Sequence, residues 1–267
     1  MTLPQTEVYP NAPLEVVAFE LRIPYALSLA DRAAQAQVWE KIKERLPITQ
    51  PQPALQVTLG APGMVQSQGP LRMSDRARTL GVVVGPELVS IESTHYRCFE
   101  EFRDFLLYVL SAMPADEIAG FSRIGLRYIN EIRVPDIAFP AQWDGLVASY
   151  LLGATEIPAD GLTSRRLGGE VEYGGADGLR VVMRYGASAE GRIVNAEGPL
   201  RTPTSESGPS FLIDLDSYWE NAPDDDLPVF STEAIVEKTS RLRAPIHNLF
   251  EAAITDQLRD IFRKEPR

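Results

Sequence analysis

Residues 14–23 alternate between apolar and polar. Val17, Phe19 and Leu21 fall on one side and Glu20 and Arg22 on the other, the two-residue period of a β-strand. Pro24 ends the run, because proline has no N–H to give to a strand ladder. Asp31 is a good helix N-cap, and Val38, Trp39, Ile42 and Leu46 then recur at helical spacing, so 31–46 reads as a helix. Pro47, Pro51 and Pro53 stop its continuation. Alternation returns over 55–59, and 79–84 and 88–93 flank Gly85-Pro86-Glu87, which predicts a tight hairpin. Phe99, Phe102, Leu106, Val109 and Leu110 mark an amphipathic helix over 98–112.

The second part of the chain repeats this order. In 121–134, Ile124, Leu126 and Tyr128 face one way and Arg123, Arg127 and Ile129 the other. Trp143, Leu146, Val147, Tyr150 and Leu151 predict a helix. Strands follow at 165–173 and 178–187 around a glycine-rich turn, and 198–209 is a mobile loop with three prolines and two glycines. Phe211, Ile213 and Leu215 give another strand, with Asp214 and Asp216 on its opposite face, before the acidic loop at Asp224, Asp225 and Asp226. Residues 232–263 carry the strongest helical rhythm, and Pro245 predicts a kink or break within it.

One phrase occurs twice. Glu20-Leu21-Arg22-Ile23-Pro24 returns 111 residues later as Glu131-Ile132-Arg133-Val134-Pro135, each time closing a strand at a proline. The reading is an α+β fold of two similar β-α-β-β-β-α units, 1–118 and 119–267, forming antiparallel sheet with helices packed on one side. The two units associate closely, either as two domains or as one.

Charge narrows the partners. The net charge is −11, and the carboxyl half carries most of it: −2 over 1–135 against −9 over 136–267. A phosphate backbone attracts basic surfaces, so no nucleic-acid partner is expected, whereas a basic protein partner would suit the acidic half. No apolar run approaches the roughly 20 residues of a bilayer span. The first residues lack the charge and apolar core of a secretory signal, and the one cysteine, Cys98, excludes an internal disulfide. The expectation is a cytoplasmic protein with no membrane association.

Several chemistries find no motif. There is no phosphate loop, dinucleotide fingerprint or Gly-x-Ser-x-Gly, and His95, His247 and Cys98 form no metal-ligand spacing. No cofactor is expected. Cys98 and His247 read as packing or core-edge residues. Tyr128 and Asn130 read as strand anchors, and Tyr9, Asn11 and Pro13 as the turn into the first strand. Two constellations remain. Glu20 with Arg22, Glu131 with Arg133, and nearby Arg127 form either a structural ion-pair ladder or a cleft in which Arg22 and Arg127 grip an anion. Asp214 and Asp216, two apart on one strand face, are the pair able to hold Mg²⁺.

Three phrases carry a resemblance: Tyr9-Pro10-Asn11-Ala12-Pro13-Leu14 leading into the first strand, Arg127-Tyr128-Ile129-Asn130, and Ala252-Ala253-Ile254-Thr255-Asp256 with its flanks. Together they resemble an uncharacterised, sporadically distributed bacterial family with an opening Asn-Ala-Pro-Leu strand, an Arg-Tyr-x-Asn strand and an Ile-Thr-Asp helix. Such a patchy distribution implies an accessory role, in defence, toxin neutralisation or tailoring. The functional expectation is a protein- or peptide-binding module using a sheet edge or the cleft between units. The alternative is an enzyme acting on a small anionic or phosphorylated substrate.

Overall fold

The computed structural model describes residues 7–53, 69–157, 160–189, 199–202 and 208–264. Its frame is a nine-stranded antiparallel sheet. In chain order the strands are β1 (Leu14–Arg22), β2 (Ile48–Pro51), β3 (Leu71–Ser74), β4 (Leu80–Val84), β5 (Leu88–Ser93), β6 (Arg123–Ile132), β7 (Arg166–Gly174), β8 (Leu179–Ser188) and β9 (Ser210–Glu220). The helices are α1 (Arg32–Ile42), α2 (Phe99–Leu110), α3 (Thr232–Ala253) and α4 (Asp256–Phe262). Across the sheet the order is β2-β3-β4-β5-β1-β6-β9-β8-β7, so β1 and β6 meet at the centre. In that seam Val17 lies opposite Tyr128 and Arg22 opposite Arg123.

Alternation decides which face is covered. Val17, Phe19 and Leu21 of β1, Ile124 and Leu126 of β6, and Ile213 and Leu215 of β9 are fully buried. They share one core with Phe102, Leu106 and Val109 of α2 and Ile235, Leu242 and Ile246 of α3. Each such side chain taken out of water contributes roughly 1.5–3 kcal/mol. The helix starts follow local chemistry: Asp31 accepts a hydrogen bond from the Ala34 amide at 2.8 Å, and Ser231 accepts one from Ala234 at 3.2 Å.

The strands β2 and β3 have no counterpart in the sequence reading, and two helical segments differ from it. Residues 140–156 form three short 3₁₀ turns, Pro140–Trp143, Ser149–Leu151 and Gly153–Glu156, where an α-helix is expected. Gly145 takes a left-handed φ of +77°, which interrupts helical geometry, and Val147 is drawn into a bridge with Ile254. Trp143, Leu146, Val147 and Leu151 are buried all the same, so the apolar spacing reports burial without reporting backbone. At the second, no break falls at Pro245, which sits inside a continuous 22-residue helix. A mid-helix proline costs about 3 kcal/mol, and the buried positions on both sides, Leu242 and Ile246 among them, hold the helix across it. The break falls at Ile254, whose extended backbone makes that bridge, and Thr255 then caps α4. The strand expected at 55–59 lies outside the described residues, as does much of the loop at 198–209.

Candidate functional site

The two faces of the sheet hold different chemistry. The face opposite the helices carries the charged residues of β1, β6, β9, β8 and β7 in register. Glu20 accepts from Arg22 at 2.9 Å and from Arg123 at 2.7 Å. Arg123 spans the neighbouring row because Gly125 has no side chain; a Cβ there would sit 3.2 Å from the guanidinium. Its other arm approaches Asp216 at 3.9 Å, and its plane lies 4.5 Å from the Tyr218 ring. Arg127 forks onto Asp214, with N–H···O distances of 2.7 and 2.6 Å. Arg184 reaches Asp214 at 3.8 Å and Glu170 at 2.6 Å. Glu131 pairs with Arg133, which also donates to the Gly208 carbonyl.

All the sequence-derived candidates therefore lie in this ladder, and all but Asp216, which faces Arg123, pair with one another. Arg22 and Arg127 occupy separate pairings. Asp214 and Asp216 do share a strand face, yet both Asp214 oxygens already accept from Arg127. Burial pushes the Asp216 carboxyl above its ordinary range, against the pull of Arg123 and Arg127. The hydrogen bonds that Arg127 donates to Asp214 raise its pKa. Among the described residues no group of three His, Cys, Asp or Glu side chains is placed to hold a metal ion.

The helical face holds a cavity of about 500 Å³. Its walls come from four separated segments: the lead-in to β1, residues 94–99, the end of β6, and the middle of α3. Both histidines and the sole cysteine line it. Tyr96 and Tyr128 join their hydroxyls at 2.8 Å, with ring centroids 5.4 Å apart in an edge-to-face arrangement. Burial pushes the Tyr96 phenol up to about 12 and Tyr128 well above 10, so both stay protonated at neutral pH. One hydroxyl donates to the other, which leaves one phenolic hydrogen for a further acceptor. Asn130 donates to the Ile213 carbonyl at 3.0 Å, which fixes its amide.

At the other wall Tyr9 donates to Glu251 at 3.0 Å, and Arg259 holds the same carboxylate at 2.8 Å. Burial first, then Glu251, raises Tyr9 to about 12. Burial lowers the His247 imidazole, Glu251 opposes the shift and Arg243 adds to it, so the ring is neutral at neutral pH. Arg243 lies over the Phe99 ring at 5.0 Å. A smaller cavity of about 210 Å³ shares the wall formed by His95, Tyr96, Arg97 and Cys98. No hydrogen bond joins Cys98 to either histidine among the described residues.

Read one at a time, these cavity residues look like packing and turn residues, so sequence reasoning passes over them. One signal was available. The three phrases singled out in the sequence each place residues on this wall: Tyr9, Pro10 and Ala12 to Leu14, Tyr128 with Asn130, and Phe250 with Glu251. No protein-family model matches the chain, and no curated protein is similar to it.

Proposed function

We propose that this chain is a bacterial accessory binding protein whose partner, a peptide or protein segment, seats in the cavity between 1–118 and 119–267. The observation that carries this reading is the convergence of both halves on one partly apolar cavity with a few fixed polar groups, the usual make-up of a binding site. The acidic surplus of the second half favours a basic surface around the partner's docking segment, and a cytoplasmic setting suits the single free thiol.

Duplication of an ancestral half belongs to the same reading. The 111-residue offset makes Val17 the counterpart of Tyr128, and these two residues face each other across the β1–β6 seam. A local twofold through the seam requires such a pairing. A cleft along that axis takes one wall from each copy.

Crystals soaked with a library of short peptides test the site. Peptide density is expected in the cavity. Ala12→Trp, an exposed change at the rim, should remove it while leaving the melting temperature within about 2 °C. Density gathered instead along β7, the exposed edge strand, would move the binding function to the sheet edge.

A second reading, an enzyme acting on a small anionic substrate, draws on one observation: Cys98, His95 and His247 share the cavity wall. Rapid, stoichiometric labelling of Cys98 by iodoacetamide at neutral pH, slowed by His247→Gln, would favour it over simple binding.

A further inference from the structure

The charges around the cavity do not cancel evenly. Glu251 is held by Arg259 and Tyr9, Glu7 by Arg263, and Arg97 by Glu101 at 3.4 Å. Arg243 is left over: among the described residues it forms no ion pair, and its one close partner is the Phe99 ring. Glu100, exposed on α2, acts on it only through space and is itself satisfied first by its own backbone N–H. Arg243 is half-buried, and among the described residues its five donors meet no acceptor. Arg243, Tyr96, Tyr128 and His247 line the same cavity, and the charge of Arg243 acts on the other three. That set is rich in donors: a guanidinium, one spare phenolic hydrogen and one imidazole N–H. Next to it lie the apolar surfaces of Ile246, Phe250 and Leu14.

We infer that the cavity recognises a single carboxylate on an apolar body, the carboxylate on Arg243 and the free hydroxyl of the tyrosine pair, the body against Ile246 and Phe250. This rests on the cavity being the binding site, as proposed above. One uncompensated positive charge matches one negative charge, which favours a carboxylate over a phosphate dianion. The same chemistry is offered by the carboxyl terminus of a peptide with an apolar last residue and by a small aryl-alkanoic acid. A cavity of about 500 Å³ accommodates either.

Isothermal titration of the full chain decides the matter with two matched pairs: acetyl-Ala-Ala-Phe as free acid and as C-terminal amide, and 4-phenylbutanoate against 4-phenylbutanamide. The acid should bind at least about tenfold more tightly than its amide, the loss expected for a charge-assisted hydrogen bond. Arg243→Gln should erase that preference without weakening the amide, and Arg243→Lys should keep part of it. Circular dichroism confirms that both variants fold. A preference seen only in the peptide pair identifies a chain terminus, and one seen in both pairs identifies a small acid as sufficient. Equal binding of acid and amide to the wild type overturns the carboxylate and leaves the cavity reading standing. So does an acid preference that survives Arg243→Gln, and so does phenylphosphate binding more tightly than the carboxylates. If no member of either pair binds, the cavity reading and this inference fall together.

Discussion

The ladder on one face of the sheet and the cavity on the other are built from the same residue types, arranged to opposite ends. On the ladder most carboxylates meet an arginine across a strand pair, and Asp214, with 4% of its side chain exposed, takes both arms of Arg127. Most of the ladder's hydrogen-bonding capacity is spent within these pairs. In the cavity the pairing is incomplete among the described residues: Arg243 has an aromatic partner and no anion, and the tyrosine pair has a hydrogen to spare. Charge density and unspent hydrogen-bonding capacity therefore point to different faces. Unspent hydrogen-bonding capacity beside apolar surface separates a recognition site from a structural network.

Breaking the ladder at its most buried member should produce the largest change in stability. Asp214→Ala strands Arg127 and is expected to cost about 2 kcal/mol in urea denaturation. That is below the loss for a fully buried pair, because the half-exposed Arg127 rehydrates. A loss under about 0.5 kcal/mol would show that the pair is solvated and that the ladder is open to ligands after all.

The tyrosine pair comes next. Tyr128→Phe should cost about 1 kcal/mol, the worth of one buried hydrogen bond. Spectrophotometric titration should find Tyr96 ionising near 12 in the wild type. The sign follows from linkage: above pH 10 the unfolded phenol releases its proton while the folded one retains it, so this stabilisation is lost as pH rises from 10 towards 12. Normal titration of every tyrosine near 10 would mean that the cavity wall is open to water.

Arg243→Gln should change stability by no more than about 1 kcal/mol, the value of a cation–π contact, although it should remove the anion preference proposed for the cavity. A larger loss would make Arg243 a structural residue like those of the ladder. Arg22→Ala should do least. Its pair with Glu20 is exposed, and about 0.5 kcal/mol or less is expected, falling further in high salt.

Much of the fold was legible because it depends on neighbours a few residues apart. Alternation marked β1, β4, β5, β6, β8 and β9, and capping residues marked the starts of α1 and α3. Period also placed Asp214 and Asp216 on one face, and Glu20 with Arg22. It misled where burial and backbone part company: Trp143 and Leu146 are buried without a helix, and α3 passes through Pro245 because its core contacts outweigh one lost N–H. The ladder residues were visible because they are charged and repeated. The cavity residues were not, since Tyr9, Tyr96, Tyr128 and His247 carry ordinary local patterns and gain meaning only together.

By itself the sequence determined the periods, the turns, the charge imbalance and which side chains share a strand face, because these follow from geometry within one segment. Only the tertiary structure decided that Arg127 answers Asp214, 87 residues away, and that Tyr9 answers Glu251, 242 residues away. Strand order and helix packing set those meetings, and they bring an ordinary arginine and two ordinary tyrosines, far apart in the chain, to the wall of one cavity.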